Sequence, residues 1–228
     1  MQELTNSSLK FGTSGLRGLA LDLEGQAARR YTAAFLLHLH RIGQTGGGRV
    51  FIGRDFRPSS IAITRDCASA IAAAALEPVD CGAVPTPALA LHAMAAGCAA
   101  LMVTGSHIPA DRNGLKFYRP DGEISKADEA GIVAALGEET IADLNVPLAD
   151  ESEAAAERYF NRHEASFPAG LLSGWRIGVF EHSTVARDLL GRSLRHFGAE
   201  TVSLGRSKDF VAVDTEAYGD AVFAPLPG

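Results

Sequence analysis

Short apolar runs alternate along the chain with stretches whose apolar residues recur every three or four positions. That alternation predicts an α/β protein. Arg49–Gly53 (RVFIG), Val79–Val84 and Ala99–Thr104 (AALMVT) have the length and composition of strands. Ala28, Tyr31, Phe35, Leu39 and Ile42 mark one face of a helix over 25–42. Ile63, Cys67, Ile71 and Ala74 mark another, opened near Pro58 and stopped by Pro78. Thr86 and Pro87 read as the N-cap and first residue of a third helix, which Gly97 ends. Lys10-Phe11 opens a short strand, and a hairpin is expected around the Pro-Asp-Gly turn of Arg119–Gly122. Ser125 and Asp128 have capping-box spacing before Ile132, Val133 and Leu136, with Gly137 as the stop.

A change of texture near Asp150 divides the chain into a first domain over 1–147 and a partial second domain over 148–228, joined through Asn145–Ala149. The second part predicts a charged helix over 151–165 and a strand at Trp175–Phe180. A helix capped by Ser183 or Thr184 follows, carrying Val185, Leu189, Leu190, Leu194 and Phe197, ended by Gly198, and then a strand at Thr201–Leu204. This is a β-α-β unit, and two strands are thin for an independent core.

The chain has 228 residues, of which 46% are hydrophobic and 21% charged, enough apolar material for a sizeable core. Its formal net charge of −6 argues against a nucleic-acid partner, and any anionic ligand must be held by a local cluster of cations. No apolar run approaches the ~20 residues of a membrane span, and Met1–Lys10 has no apolar h-region. Cys67, Cys81 and Cys98 are odd in number, lack C-x-x-C spacing and sit among small apolar residues, as buried free thiols do. The expectation is a soluble, reduced, cytoplasmic protein with neither a membrane nor a nucleic-acid partner.

Two loops stand out chemically. In F-G-T-S-G-L-R-G at 11–18, three glycines allow close backbone approach, Thr13 and Ser14 offer hydroxyls, and Arg17 offers a fork of donors suited to phosphate. The spacing matches neither the dinucleotide fingerprint nor the Walker pattern, and it also suits a tight connection with a solvated arginine. In T-G-S-H-I-P-A-D-R-N-G-L-K at 104–116, Ser106 follows an apolar strand, where ligands sit in α/β proteins. If Asn113-Gly114 turns the chain, Lys116 returns beside Ser106. A serine needs activation, and His107 and Lys116 are the neighbours available; His107 is equally a loop residue bonding its own backbone. The hydrolase elbow G-x-S-x-G is absent, which disfavours a serine hydrolase. Gly53-Arg54-Asp55, with Arg57 nearby, reads as a structural Arg–Asp pair or a substrate contact. His38, His40 and the remaining histidines show no metal-ligand spacing.

Taken in order, FGTSGLRG at 11–18, GRD at 53–55, PTPA at 85–88 and TGSHIPADRNGLKFY at 104–118 resemble the α-D-phosphohexomutase family of phosphomannomutases and phosphoglucomutases. The resemblance implies a mixed-sheet α/β/α domain followed by an incomplete second α/β domain. It implies that Ser106 carries a phosphoryl group exchanged between C1 and C6 of a hexose phosphate, through a hexose 1,6-bisphosphate. Arg17 and Lys116 would be the cations around that phosphate, Lys116 also moving a proton, with His107 contributing. Thr13, Ser14 and Arg54 would add phosphate contacts, and Mg²⁺ would bind through the phosphate on Ser106. The sequence departs from the family at Ile108, where asparagine is usual, and in lacking the Asp-Gly-Asp-x-Asp-Arg metal loop: Asp209, Asp214, Glu216 and Asp220 are wrongly spaced. The expectation is the N-terminal portion of a longer mutase, inactive alone. The alternative is a non-catalytic sugar-phosphate-binding or interaction module.

Overall fold

The computed structural model describes residues 7–12 and 15–212. Strands β1 (Lys10–Gly12) and β2 (Gly15–Leu19) lead into helices α1 (Ala20–Leu23) and α2 (Gln26–Arg41). There follow β3 (Arg49–Arg54), α3 (Ser60–Ala73), β4 (Glu77–Ala83), α4 (Thr86–Ala95) and β5 (Ala99–Val103). Then come β6 (Arg112–Arg119), β7 (Gly122–Glu123), α5 (Lys126–Ala135), β8 (Ala149–Asp150) and α6 (Ser152–Ser166). The last elements are β9 (Arg176–Phe180), α7 (Arg187–His196) and β10 (Glu200–Leu204).

The large sheet has the order β1-β2-β6-β5-β3-β4-β8, with β7 hairpinned onto β6. It is mixed: β5, β3, β4 and β8 are parallel, while β1, β2, β6 and β7 pair antiparallel. Alternation along each strand serves both faces. Val50, Ile52, Leu101, Val103, Leu115 and Phe117 pack under α2, α3 and α5, against Phe35, Ile63, Cys67 and Ile132. Phe51, Val79, Cys81, Ala100 and Met102 face the other way, against Leu89 and Ala93 of α4 and Ala155 of α6. The expected three-layer α/β/α arrangement is therefore present. β5 lies between β3 and β6, buried on both faces, which is why AALMV reads as one unbroken apolar run. β9 and β10 form a separate parallel pair spanned by α7, with only a few buried apolar residues such as Val179, Phe197 and Ala199.

Several local expectations shift. Pro78 does not stop α3 but lies in β4, paired with Val50; the chain turns earlier, at Ala75, whose φ is +56°. Helix α4 takes Pro85 as its N-cap, extended at φ −60° and ψ 141°, and Pro87 falls inside the first turn, where its missing N–H costs nothing. Neither Ser183 nor Thr184 caps α7. Ser183 Oγ instead bonds the backbone at Val211, Thr184 Oγ1 accepts from Ala186 N, and the helix starts at Arg187. The capping box at Ser125 and Asp128 forms as expected, with each side chain accepting from the other's backbone N–H. All three cysteines are buried and free.

Candidate active site

The site grows from the end of β5. Asp55, just past β3, donates its N–H to Val103 O, and its carboxylate accepts from Thr104 Oγ1 at 2.9 Å and Gly105 N at 3.1 Å. Thr104 Oγ1 in turn accepts from Ser106 N at 2.9 Å. This chain of bonds fixes Ser106 in the left-handed region at φ +53°, a conformation a serine keeps only where its surroundings impose it. Ser106 is exposed, and its Oγ lies 3.4 Å from His107 Nδ1. Ser106 and His107 form one wall of a cleft of about 280 Å³; the other wall is the 182–185 loop with Phe210 and Val211. A larger apolar groove of about 450 Å³ lies along α6 and α7 and contains none of these groups.

The loop returns to the sheet at Pro109–Arg112, where Arg112 N donates to Pro109 O. Asn113-Gly114, expected as the turn, lies inside β6 instead. Gly114 sits where an added Cβ would overlap Leu16 O, so the residue serves close strand approach. Asn113 is fully buried and spends its amide on Ser59 Oγ and Ser60 Oγ.

Lys116 and Arg17 share one face of the sheet. Leu16 pairs with Leu115 and Arg17 with Gly114, and Leu16 and Leu115 both point into the core under α2. Period-two alternation then puts Arg17, Gly114 and Lys116 on the opposite face. Both cations are half-buried, and no hydrogen bond or ion pair joins either to another described residue. Burial first, and Arg17 second, lower the Lys116 pKa, while Glu123 opposes them. Two half-buried cations thus share one face of the sheet in a net-acidic chain, with Glu123 the acidic group acting on Lys116. Neither lines the cleft at Ser106; their strands end beside it.

Arg54 is committed elsewhere. Its Nη1 donates to both Asp80 oxygens at 2.6 and 2.9 Å, so the Arg–Asp pair expected within GRD forms with Asp80, not Asp55. Thr13 and Ser14 lie outside the described residues. Among the described residues no group of three or more His, Cys, Asp or Glu is placed to hold a metal ion. The cleft carboxylate, Asp55, already accepts from Arg57 N, Ser60 Oγ, Thr104 Oγ1 and Gly105 N. These residues do not fit a Mg²⁺ cage, which needs free carboxylate oxygens.

A profile described as phosphoglucomutase/phosphomannomutase, alpha/beta/alpha domain I, matches residues 8–142. The chain belongs to the phosphoglucomutase/phosphomannomutase family. It is 50% identical over 219 residues to a phosphomannomutase of Sinorhizobium fredii, a match covering 93% of this chain and 46% of that one. It is 41% identical over 220 residues to a phosphomannomutase of Salmonella muenchen, covering 95% and 45%. A crystal structure of a phosphoglucomutase/phosphomannomutase family protein from Burkholderia thailandensis superposes with a TM-score of 0.70 at 25% identity, over 89% of this chain and 44% of that one. The chain thus spans about half the length of the family relatives it matches. Among the described residues no helix is long and apolar enough to cross a membrane.

Sequence reasoning missed what Arg57 does. Its side chain is wholly buried, yet its acceptors are backbone carbonyls some fifty residues on, which no side-chain motif encodes.

Proposed function

We propose that Ser106 is the phosphoryl carrier of a phosphohexomutase, and that this chain is its phosphoserine-bearing portion. The observation that carries the reading is an exposed serine, locked at φ +53° at the end of β5, beside strands presenting Arg17 and Lys116, whose side chains make no ion pair within 4 Å to another described residue. Phosphoryl transfer asks a protein mainly for positioning and for stabilising charge on the equatorial oxygens. Arg17 supplies a planar fork and Lys116 a compact charge.

In the forward step a sugar hydroxyl attacks the phosphorus on Ser106. The new sugar O–P bond forms as the Ser106 Oγ–P bond breaks, and the hydroxyl proton passes to a base. Lys116, whose pKa burial and Arg17 lower, is the candidate: its neutral amine accepts that proton. The ammonium so formed supplies the compact charge beside the phosphate and returns the proton to the sugar oxygen freed when the second phosphate moves to Ser106. The bisphosphate reorients and its other phosphate returns to Ser106, which completes exchange between C1 and C6. His107, whose Nδ1 lies 3.4 Å from Ser106 Oγ, orients that hydroxyl. Thr13 and Ser14 complete the phosphate site; Arg54, paired to Asp80, shapes the strand end beside it. Mg²⁺, which the family resemblance implies, finds no ligand set among the described residues, so no step here runs through it. The complete C1–C6 exchange is expected to be slow in the chain by itself, while the single transfer that loads Ser106 is expected to proceed and is the step tested.

The test is incubation with hexose 1,6-bisphosphate labelled in phosphate, followed by peptide mapping. Label on Ser106, lost in Ser106→Ala, supports the reading. Label on another residue, or none, rejects it.

A further inference from the structure

Arg57 has a side chain with 0% exposure, at the start of the segment leading into α3. Its guanidinium donates to four carbonyl oxygens: Pro109 at 2.6 Å, Ile108 at 2.6 Å, Arg112 at 2.9 Å and Ser106 at 3.2 Å. Three belong to the loop that carries Ser106, and Arg112 opens β6 where that loop ends. Its Nε lies 3.3 Å from Asp55 Oδ2, the same oxygen that holds Thr104 and Gly105. The guanidinium presses so closely on Gly105 that an added Cβ there would overlap Nε and Cζ. It also lies over the ring of Phe210, 4.5 Å from the centroid, while Arg187 lies 5.0 Å over the ring of Phe56. Adjacent residues Phe56 and Arg57 thus interlock with an arginine and a phenylalanine from the segment that carries β9, α7 and β10.

A buried arginine spent on backbone carbonyls is an expensive way to hold a loop, because its charge is desolvated with one carboxylate nearby. A loop needing only to be closed could use water or neutral donors. A rigid planar fork is what four carbonyls in different directions demand, and lysine cannot reproduce it.

We infer that Arg57 is the positioning residue of this site: it grips the loop carbonyls so that Ser106 is presented in one conformation. The inference rests on the phosphoryl-carrier reading of Ser106. Arg57 touches no reacting atom. It acts through the loop, and its contact with Phe210 extends that control to the second wall of the cleft.

The experiment measures single-turnover labelling of Ser106 by labelled hexose 1,6-bisphosphate with Mg²⁺, in the wild-type chain, Arg57→Lys, Gly105→Ala and the double variant. Positioning predicts a maximal labelling rate lower by tenfold to on the order of 10²-fold in each single variant, with the half-saturating concentration moving less than about twofold. Both single changes disturb one contact, so the double variant should be no slower than the slower single. Amide exchange should quicken at Ser106, Ile108 and Arg112 in Arg57→Lys, while β5 stays protected. If Arg57→Lys does not fold, Gly105→Ala, which keeps the arginine and its charge, carries the same expectation. A labelled wild type with equal rates in the variants, or a loss confined to half-saturation, overturns the role of Arg57 alone. A wild type that takes no label overturns the phosphoryl reading and this inference together.

Discussion

His38 Nε2 on α2 lies 2.9 Å from Asp128 Oδ1, the capping-box carboxylate of α5. Burial opposes ionisation of Asp128, but bonds from His38 and Ser125 and the charge of Arg119 outweigh it, so its pKa falls to about 2. A carboxyl with a folded pKa below its unfolded one contributes stability above pH ~4 that is lost as pH falls toward ~2. Asp128→Asn should cost on the order of 2 kcal/mol at pH 7. Urea melts from pH 2.5 to 7 check this, with the variant flatter on the acid side; parallel curves would refute the ion-pair account.

Gly131 faces the same histidine from α5, where an added Cβ would overlap Nδ1 and Cε1 of His38. In an open helix Gly→Ala gains about 1 kcal/mol. Here Gly131→Ala should instead lower the melting temperature, since the ring is pinned by Asp128. A stabilised variant would show that the interface yields freely.

Lys116 supports two linked expectations. Removing the neighbouring charge in Arg17→Ala favours the protonated amine, so the Lys116 pKa should rise toward its ordinary value. Side-chain NMR titration reads this, and a fall would reverse the assignment.

Lys116 also has a folded pKa below its unfolded one, so its charge opposes folding at neutral pH and the penalty eases only in alkali. Lys116→Met should therefore raise the melting temperature by about 2–4 °C while abolishing label on Ser106. Stabilisation with labelling intact would remove Lys116 from the site.

Cys67 and Cys81 are pushed up to about 12, chiefly by burial. The folded chain at pH 8 should leave a disulfide thiol reagent almost unreduced, and three equivalents should react in denaturant. Fast reaction in the folded state would mean that the layers around β3 and β4 open readily.

The amino-acid order by itself determined β3, β4, β5 and the helices that cover them, because period-two and period-3.6 patterns are local consequences of burying one face; β2, inside the glycine-rich 11–18 segment, and the two-residue β8, in the expected linker, became strands only by pairing with β6 and β4. It also determined the candidate chemistry of Ser106, Arg17 and Lys116, which stands in contiguous loops and motifs. Helix ends were less legible: Ala75 turns the chain without a glycine, the Ser183 hydroxyl found a distant partner in the backbone of Val211, and the Thr184 hydroxyl accepts from Ala186 N ahead of the helix. Only the tertiary structure decided that Arg54 pairs with Asp80, that His38 meets Asp128, and that Arg57 holds the Ser106 loop. Those contacts join residues 26, 90 and 49 positions apart. A charge or a carbonyl selects its partner by distance and burial, and neither quantity exists until the sheet has brought the segments together.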